Sequence, residues 1–333
     1  MAVTIKDIAE EADVSVTTVS RVLNDKPDVS PNTRKNVLEK INELGYKPNS
    51  IARGLALQKT NTLGLIIPDI SNPFFPDIAR GVEDMANQKG YSVIFCNTDN
   101  EQKKEKEAID LMKEKQVDGI LLSLSTTNEK ELKNLRKLEY PIVQIDRKIP
   151  NINYPSITID NVKSAYTATK YLIKNGHKKI AHITGDLETI TGSQRLKGFK
   201  KAIFEKNLNL NKSYIKNGDY SKKSGYQNML ALLKSNNPPT AVFIANDLMA
   251  VGAYQAVFKL NLSIPKDISI IGHDDIDVTK LVNPTLTTMS QPKYQLGNEA
   301  VQLLINEIES NKLSNEEIIL NTNLINRNSI RRL

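Results

Sequence analysis

The spacing of apolar residues changes character between the start of the chain and the remainder of its 333 residues. Over the first 45 residues apolar positions recur every three or four, in short runs. Ile5, Ile8 and Ala9 fall on one helical face, Thr4 precedes them as an N-cap, and Asp7 follows three positions later. Ala12-Asp13-Val14 leaves room only for a tight turn. Ser15 then caps a second segment in which Val19, Val22 and Leu23 point inward. That leaves Val16, Thr17, Thr18 and Arg21 on its first turn and outward face, a small, hydroxyl-rich surface suited to a major groove. A third segment opens at Ser30-Pro31, turns Val37, Ile41 and Leu44 inward and stops at Gly45. Ile5, Ile8, Val19, Leu23, Val37 and Ile41 suffice for a small three-helix core. Tyr46-Lys47-Pro48 breaks the chain ahead of barely two turns, residues 49–57, which alone are only marginally helical.

From Thr62 onward, short apolar runs alternate with longer amphipathic segments. Strands are predicted over residues 63–68, 92–96, 119–124, 142–145 and 156–159, with helices over 76–89, 103–115 and 129–138. A second block repeats the rhythm, with strands over 179–184, 214–217, 241–244 and 268–271 and helices over 162–175, 194–207, 222–235 and 248–260. The expected fold class is α/β: an all-α helix-turn-helix headpiece followed by two doubly wound, largely parallel sheets.

The run from Thr4 to Leu57 resembles the DNA-binding headpiece and hinge of the LacI/GalR family of bacterial repressors. The resemblance rests on Asp7-Ile8-Ala9, on Val14-Ser15 with Thr18 to Asn24, and on Tyr46-x-Pro48-Asn49 with Ala52-Arg53-x-Leu55, in that order. It extends to the C-terminus and is closest to the ribose operon repressors. It implies a headpiece over residues 1–48, a hinge over 49–60 and an effector-binding and dimerisation domain over 61–333. That domain would have a type I periplasmic-binding-protein architecture, with a first lobe of about 61–160 plus 292–318 and a second of about 161–291 plus 319–333. A helix near 294–309 and a strand at 317–320 would return to the first lobe. The partners it implies are double-stranded operator DNA, a second copy of the chain in a homodimer, and a small sugar. Val16, Thr17 and Arg21 would face bases, while Thr18, Ser20 and Asn24 lie nearer phosphates, with the caps Thr4 and Ser15 also in the DNA-binding set. Asn49, Leu55 and Ala56 would meet the central minor groove, where Leu55 can wedge between base pairs.

In such folds ligands bind beyond the carboxyl ends of the strands. The candidates there are Asn72, Phe74 and Phe75, then Asp146 and Arg147, then Arg195, Tyr220, Asn246, Asp274 and Gln291, with Asp160 at a neighbouring loop. Planar polar groups around aromatic faces suit the hydroxyls and apolar ring of a sugar. By resemblance the set is similar to that of ribose-binding proteins and ribose repressors, so D-ribose or a close pentose is the expected effector. Blander roles stay open: an Asp146–Arg147 ion pair, a helix cap at Asn246, a bridge from Arg195 to Asp274, and a core position for one phenylalanine. Thr189 stands where purine-responsive members tend to carry arginine. Gln302 and Asn306 are neutral where catabolite-control members, driven by a phosphorylated partner protein, carry basic residues. That regulator type, or a different sugar, is the alternative reading.

Composition adds limits. The net charge is +7 and the pI about 9.1, yet residues 1–60 hold nine Lys/Arg against eight Asp/Glu, so DNA binding follows from the motif and not from the charge. Lysine pairs such as Lys103-Lys104, Lys178-Lys179 and Lys222-Lys223 read as solvated faces. Cys96 is the single cysteine and reads as core of a buried strand in a reducing compartment. Neither a signal peptide nor an apolar run of about 18 residues is seen, so a cytoplasmic protein with no membrane partner is expected. The three histidines read as core (His182), a helix end (His177) and the cleft rim (His273). With no CxxC, HExxH, P-loop or GxSxG motif, the chain predicts no enzyme, cofactor or metal site.

Overall fold

Side-chain caps delimit the helices of the N-terminal segment. The computed structural model describes residues 3–46, 59–123, 129–149, 152–310, 312 and 314–333. It divides into two units, residues 1–60 and 61–333. In the first unit α1 (Ile5–Glu11), α2 (Val16–Leu23) and α3 (Pro31–Glu43) are all helices of the predicted pattern. Thr4 closes a reciprocal capping box with Asp7, and Ser15 and Ser30 accept hydrogen bonds from the Thr18 and Thr33 amides. Each such cap is worth about 1 kcal/mol to a short helix. Gly45, at φ +63°, takes the left-handed conformation that ends α3 at little cost. Ile8, Ala9, Ala12, Val19, Val22 and Val37 form the buried core, with Ile5, Leu23 and Ile41 half-buried at its edge. The expected hinge residues Asn49, Leu55 and Ala56 lie outside the described residues.

The second unit holds two six-stranded sheets. The first lobe comprises β1 (Thr62–Ile67), α4 (Phe74–Gln88), β2 (Ser92–Asn97), α5 (Gln102–Glu114), β3 (Gly119–Leu122), α6 (Glu129–Lys137), β4 (Ile142–Ile145) and β5 (Ser156–Ile159). The second comprises α7 (Asn161–Lys174), β6 (Ile180–Thr184), α8 (Ile190–Glu205), β7 (Ile215–Asn217), α9 (Lys222–Leu233), β8 (Ala241–Ile244), α10 (Asp247–Lys259), β9 (Ser269–Asp274) and β10 (Thr287–Ser290). The chain then returns to the first lobe with α11 (Lys293–Ser310) and β11 (Glu317–Leu320), and ends in the second with β12 (Asn323–Ile325). The first sheet runs β11-β5-β4-β3-β1-β2 and the second β12-β10-β9-β8-β6-β7, all parallel except β12 against β10. Helices cover both faces of such sheets, which is why β3, β4, β6, β8 and β9 are buried throughout and β3 and β8 read as continuous apolar runs.

Two glycines set the spacing of the returning helix. A Cβ on Gly81 would lie 2.1 Å from the Tyr294 carbonyl oxygen, and one on Gly297 2.2 Å from that of Ile78. α4 and α11 therefore touch backbone to backbone, which fixes the end of α4 that carries Phe74 and Phe75.

Several expectations shift. β11 stays in the first sheet to Leu320, so the last crossover follows residue 320 and not 318. β10 and β12 were not expected as strands; Thr-Thr-Met-Ser is largely polar and Asn-Leu-Ile only three residues long, so no apolar run of strand length marks them. α4 and α8 begin at Phe74 and Ile190, two and four residues earlier than periodicity suggests. Cys96 is not core: β2 is an edge strand, Cys96 is half-buried, and Phe95 is exposed. Among the described residues no helix is long and apolar enough to cross a membrane.

Candidate functional site

In the headpiece, α2 presents Val16, Thr17 and Arg21 outward, all exposed. Arg21 Nη2 lies 3.2 Å from Asp28 Oδ2, an exposed pair whose strength is small and salt-dependent. Ser15 Oγ accepts from the Thr18 amide at 3.0 Å and meets the Thr18 hydroxyl at 2.9 Å. Asn24 Nδ2 donates to the Ser20 carbonyl at 2.9 Å, and both residues are half-buried. The Thr4 amide and hydroxyl both donate to Asp7. Of the eight described candidates here, three project freely or from a surface ion pair, and Thr4, Ser15, Thr18, Ser20 and Asn24 take part in helix-end hydrogen bonding.

In the second unit the strand ends of both lobes meet at one cleft, which encloses about 550 Å³ with its open mouth included. Asn72, Phe74, Phe75, Asp146, Arg147, Arg195, Tyr220, Asn246 and Asp274 line it. They come from positions up to about two hundred residues apart and meet because each follows a strand or opens a helix at the same edge of its sheet. Gln291 is not in the lining; it lies behind Asp274 and donates Nε2 to Asp274 Oδ1 at 2.7 Å.

The first lobe supplies an aromatic corner and a charged pair. Phe74 and Phe75 pack edge to face with ring centroids 5.1 Å apart. Both are buried in the lobe core and also reach the cleft, so the core and wall roles are not exclusive. Asn72 Oδ1 accepts from the Phe74 amide at 3.2 Å and so shapes the turn into α4. Arg147 Nε lies 3.5 Å from Asp146 Oδ2, and its guanidinium sits 5.9 Å from the centroid of the Tyr220 ring on the facing lobe. Burial pushes the Asp146 carboxyl above the usual range, against the pull of Arg147 and Arg195. Its Oδ1 is buried and, among the described residues, has no hydrogen-bond partner.

The second lobe's wall is internally bonded. Arg195 donates from Nε to Asn161 at 2.8 Å and from Nη1 to the Ala245 carbonyl at 2.6 Å, and lies 3.8 Å from Asp274. Asn246 caps α10 through the Met249 amide at 3.0 Å and donates to the Tyr220 carbonyl at 3.1 Å; it is both a cap and a wall residue. The Tyr220 hydroxyl lies 3.1 and 3.0 Å from the Thr189 and Thr191 hydroxyls. Its ring occupies the space a Cβ on Gly185 would need, 2.1 Å away. Asp146, Tyr220 and Asp274 hold φ values of +65°, +69° and +117°, a backbone strain that concentrates at ligand-binding turns.

His273 is not at the rim. It is fully buried, with Nε2 2.8 Å from the Ser164 hydroxyl and Nδ1 3.0 Å from Asp274, because alternation along β9 turns its ring against α7. Burial first, and Arg195 second, push its imidazole down to about 4. His182 stacks on Phe243 with centroids 4.6 Å apart in the core, pushed down to about 3 by burial. Asp160 caps α7 and lines a neighbouring groove, not the main cleft.

Asn100, Thr191, Asp219 and Ser221 also line the cleft and were not singled out. The strand-end rule applied after residues 92–96 would have found Asn100, which accepts from Arg147 at 3.4 Å. Among the described residues no cluster of three or more His, Cys, Asp or Glu could hold a metal.

Two family models match the chain. Residues 4–49 fit the bacterial regulatory proteins of the lacI family, and residues 60–328 fit the periplasmic binding proteins and sugar-binding domain of the LacI family. Catabolite control protein A of Priestia megaterium is 44% identical over 306 residues, 91% of this chain and 92% of that protein. The HTH-type transcriptional repressor PurR of Histophilus somni is 39% identical over 331 residues, 99% of each. Among solved structures, the lac repressor dimer bound to operator and an anti-inducer superposes with a TM-score of 0.90 at 27% identity, covering 99% of this chain and 100% of that one. A LacI-family regulator from Enterococcus faecium with bound ribose gives 0.74 at 31% identity, covering 82% and 99%. The chain belongs to the LacI family: it is a DNA-binding transcriptional repressor with a sugar-binding domain, and not an enzyme.

Proposed function

We propose that the effector is a small neutral sugar, D-ribose or a close pentose, held in the cleft between the lobes of a cytoplasmic homodimer. The observation that carries this reading is the buried Oδ1 of Asp146, without a hydrogen-bond partner among the described residues, beside an aromatic corner. A buried carboxylate oxygen left without a donor is unfavourable, and a ligand hydroxyl supplies the missing donor. Four aspartates (Asp69, Asp146, Asp219, Asp274) against two arginines in the lining favour a neutral polyol over a phosphorylated one. The ribose-bound regulator from Enterococcus faecium supports the choice of sugar.

On this reading Asn72, Phe74, Phe75, Asp146, Arg147, Arg195, Tyr220, Asn246 and Asp274 bind the sugar, with Gln291 positioning Asp274. Val16, Thr17 and Arg21 read operator bases, with Thr4, Ser15, Thr18, Ser20 and Asn24 near phosphates and Asn49, Leu55 and Ala56 at the minor groove. Lobe closure around the sugar lowers operator affinity; a hundredfold loss needs about 2.7 kcal/mol of coupling. Calorimetric titration with D-ribose, beside other sugars and sugar phosphates, tests the ligand. Micromolar binding of ribose with operator release is the expected result, and silence with ribose while another compound binds removes the assignment.

The identity with catabolite control protein A favours a second reading, regulation by a phosphorylated partner protein. Against it, Gln302 and Asn306 present exposed amides and no cation on α11. Capture of a phosphorylated phosphocarrier protein by the purified repressor, with silence across the sugar panel, would support it.

A further inference from the structure

Residues 161–206 contain ten Lys/Arg and only three Asp/Glu, while the rest of the chain carries thirty-five of each. The whole net charge of +7 therefore originates in α7, α8 and the turns joining them. On other helices several lysines are matched in place, as Lys35 with Glu39, Lys40 with Glu43, Lys103 with Glu107, and Lys104 with Asp99 and Glu101. On the outer face of α7 and α8 the single acid is Glu205, which Lys206 approaches at 3.9 Å and the Tyr166 hydroxyl at 2.7 Å.

The two helices bring their lysines together. A Cβ on Gly198 would lie 2.2 Å from the Val162 carbonyl, so α7 and α8 pack at backbone contact. Lys163, Lys170 and Lys174 project from α7, Lys197 and Lys201 from α8, and Lys206 just beyond it, all exposed. Lys170 and Lys201 converge on the Tyr166 ring from the two helices, at 5.2 and 5.5 Å from its centroid. From Lys163 to Lys174 the row spans roughly 16 Å at the helical rise.

We propose that this face is a second, sequence-independent contact for duplex DNA, binding its phosphate backbone apart from the headpiece. Complementarity requires a polyanion. Lysine is depleted at protein–protein interfaces, and this face has no arginine fork for bidentate recognition, both of which disfavour an acidic protein. A duplex presents one phosphate per roughly 1.7 Å of axis, matching several ammonium groups along one helix. The contact is independent of which sugar fills the cleft, and it would let the repressor hold flanking or neighbouring duplex while its headpieces scan.

The test uses the full-length protein with Lys170, Lys174, Lys197 and Lys201 all changed to Glu, and in a second variant to Gln. Binding to operator-free duplex is measured across a salt series. With about 0.9 counterion released per phosphate contact, the slope of log K against log salt should fall by about 3 to 4, with at least a tenfold loss of affinity at 0.1 M salt. A control carrying Lys103, Lys104, Lys113 and Lys115 changed to Glu removes the same net charge from a surface where each lysine faces an acid, and should retain most of the slope. Matching melting temperatures exclude misfolding. An unchanged slope in both patch variants, or an equal fall in the control, would overturn the proposal.

Discussion

On the first lobe's wall of the cleft, Asp146 keeps a buried oxygen with no donor among the described residues, next to Arg147 and the Phe74–Phe75 corner. On the facing wall, Arg195, Asn246 and Asp274 are bonded within their own lobe, to Asn161 and Ala245, to Met249 and Tyr220, and to Gln291 and His273. One wall is preorganised by its own hydrogen bonds and the other is not. On the proposed function, a ligand that satisfies Asp146 would sit against the preformed wall, coupling its affinity to closure of the lobes.

The largest expected effect breaks the preformed wall. Arg195→Ala leaves the Asn161 oxygen and the Ala245 carbonyl without their buried donor and Asp274 without its nearby cation, and should lower unfolding free energy by about 3 to 5 kcal/mol. Denaturant titration checks this; a loss below about 1 kcal/mol would mean the wall does not depend on that side chain.

Acidity separates the walls by sign. The neutral imidazole of His273 is favoured in the folded state, so its contribution is present above the unfolded value of 6.5 and lost as pH falls toward about 4. The raised Asp146 carboxyl acts oppositely: its contribution is present at low pH and lost as pH rises through its elevated value. Relative to His273→Gln, the wild type should lose about 3 kcal/mol between pH 7 and pH 4. A pH-independent difference between the two proteins would contradict the buried neutral histidine.

Asp146→Ala tests the incomplete wall. Ribose affinity should fall about a hundredfold, or about 2.7 kcal/mol, with unchanged or raised stability because a desolvated carboxyl is gone. Retained affinity in calorimetry would place the sugar elsewhere. The smallest effect is Asn246→Ala: loss of the α10 cap should lower stability by about 1 kcal/mol, read as a lower melting temperature. No change would show that the cap is redundant.

Much of this site was legible in the chain. Applied to βα alternation, the strand-end rule led to nine residues that share the cleft. It also led to three that do not: Gln291 stands behind Asp274, His273 is sealed against Ser164, and Asp160 caps α7 at a neighbouring groove. Asn100 lies three residues beyond β2, across a polar turn, and Thr191 sits in the first turn of α8, ahead of the residue 194 at which its expected range opens. In the headpiece the local signals were nearly complete, because capping boxes and i, i+3, i+4 faces act within a single turn.

The sequence by itself determined the helices and their caps, the alternation that makes two parallel sheets, and the family motif, since each depends on residues a few positions apart. Only the tertiary structure decided which polar groups of the cleft are already paired. Arg195 finds the Ala245 carbonyl fifty positions away, Gln291 finds Asp274 seventeen away, and Asp146 Oδ1 finds no donor among the described residues. Those outcomes depend on how the sheets stack and where the strands end in space, to within the few tenths of an ångström over which a hydrogen bond forms or fails.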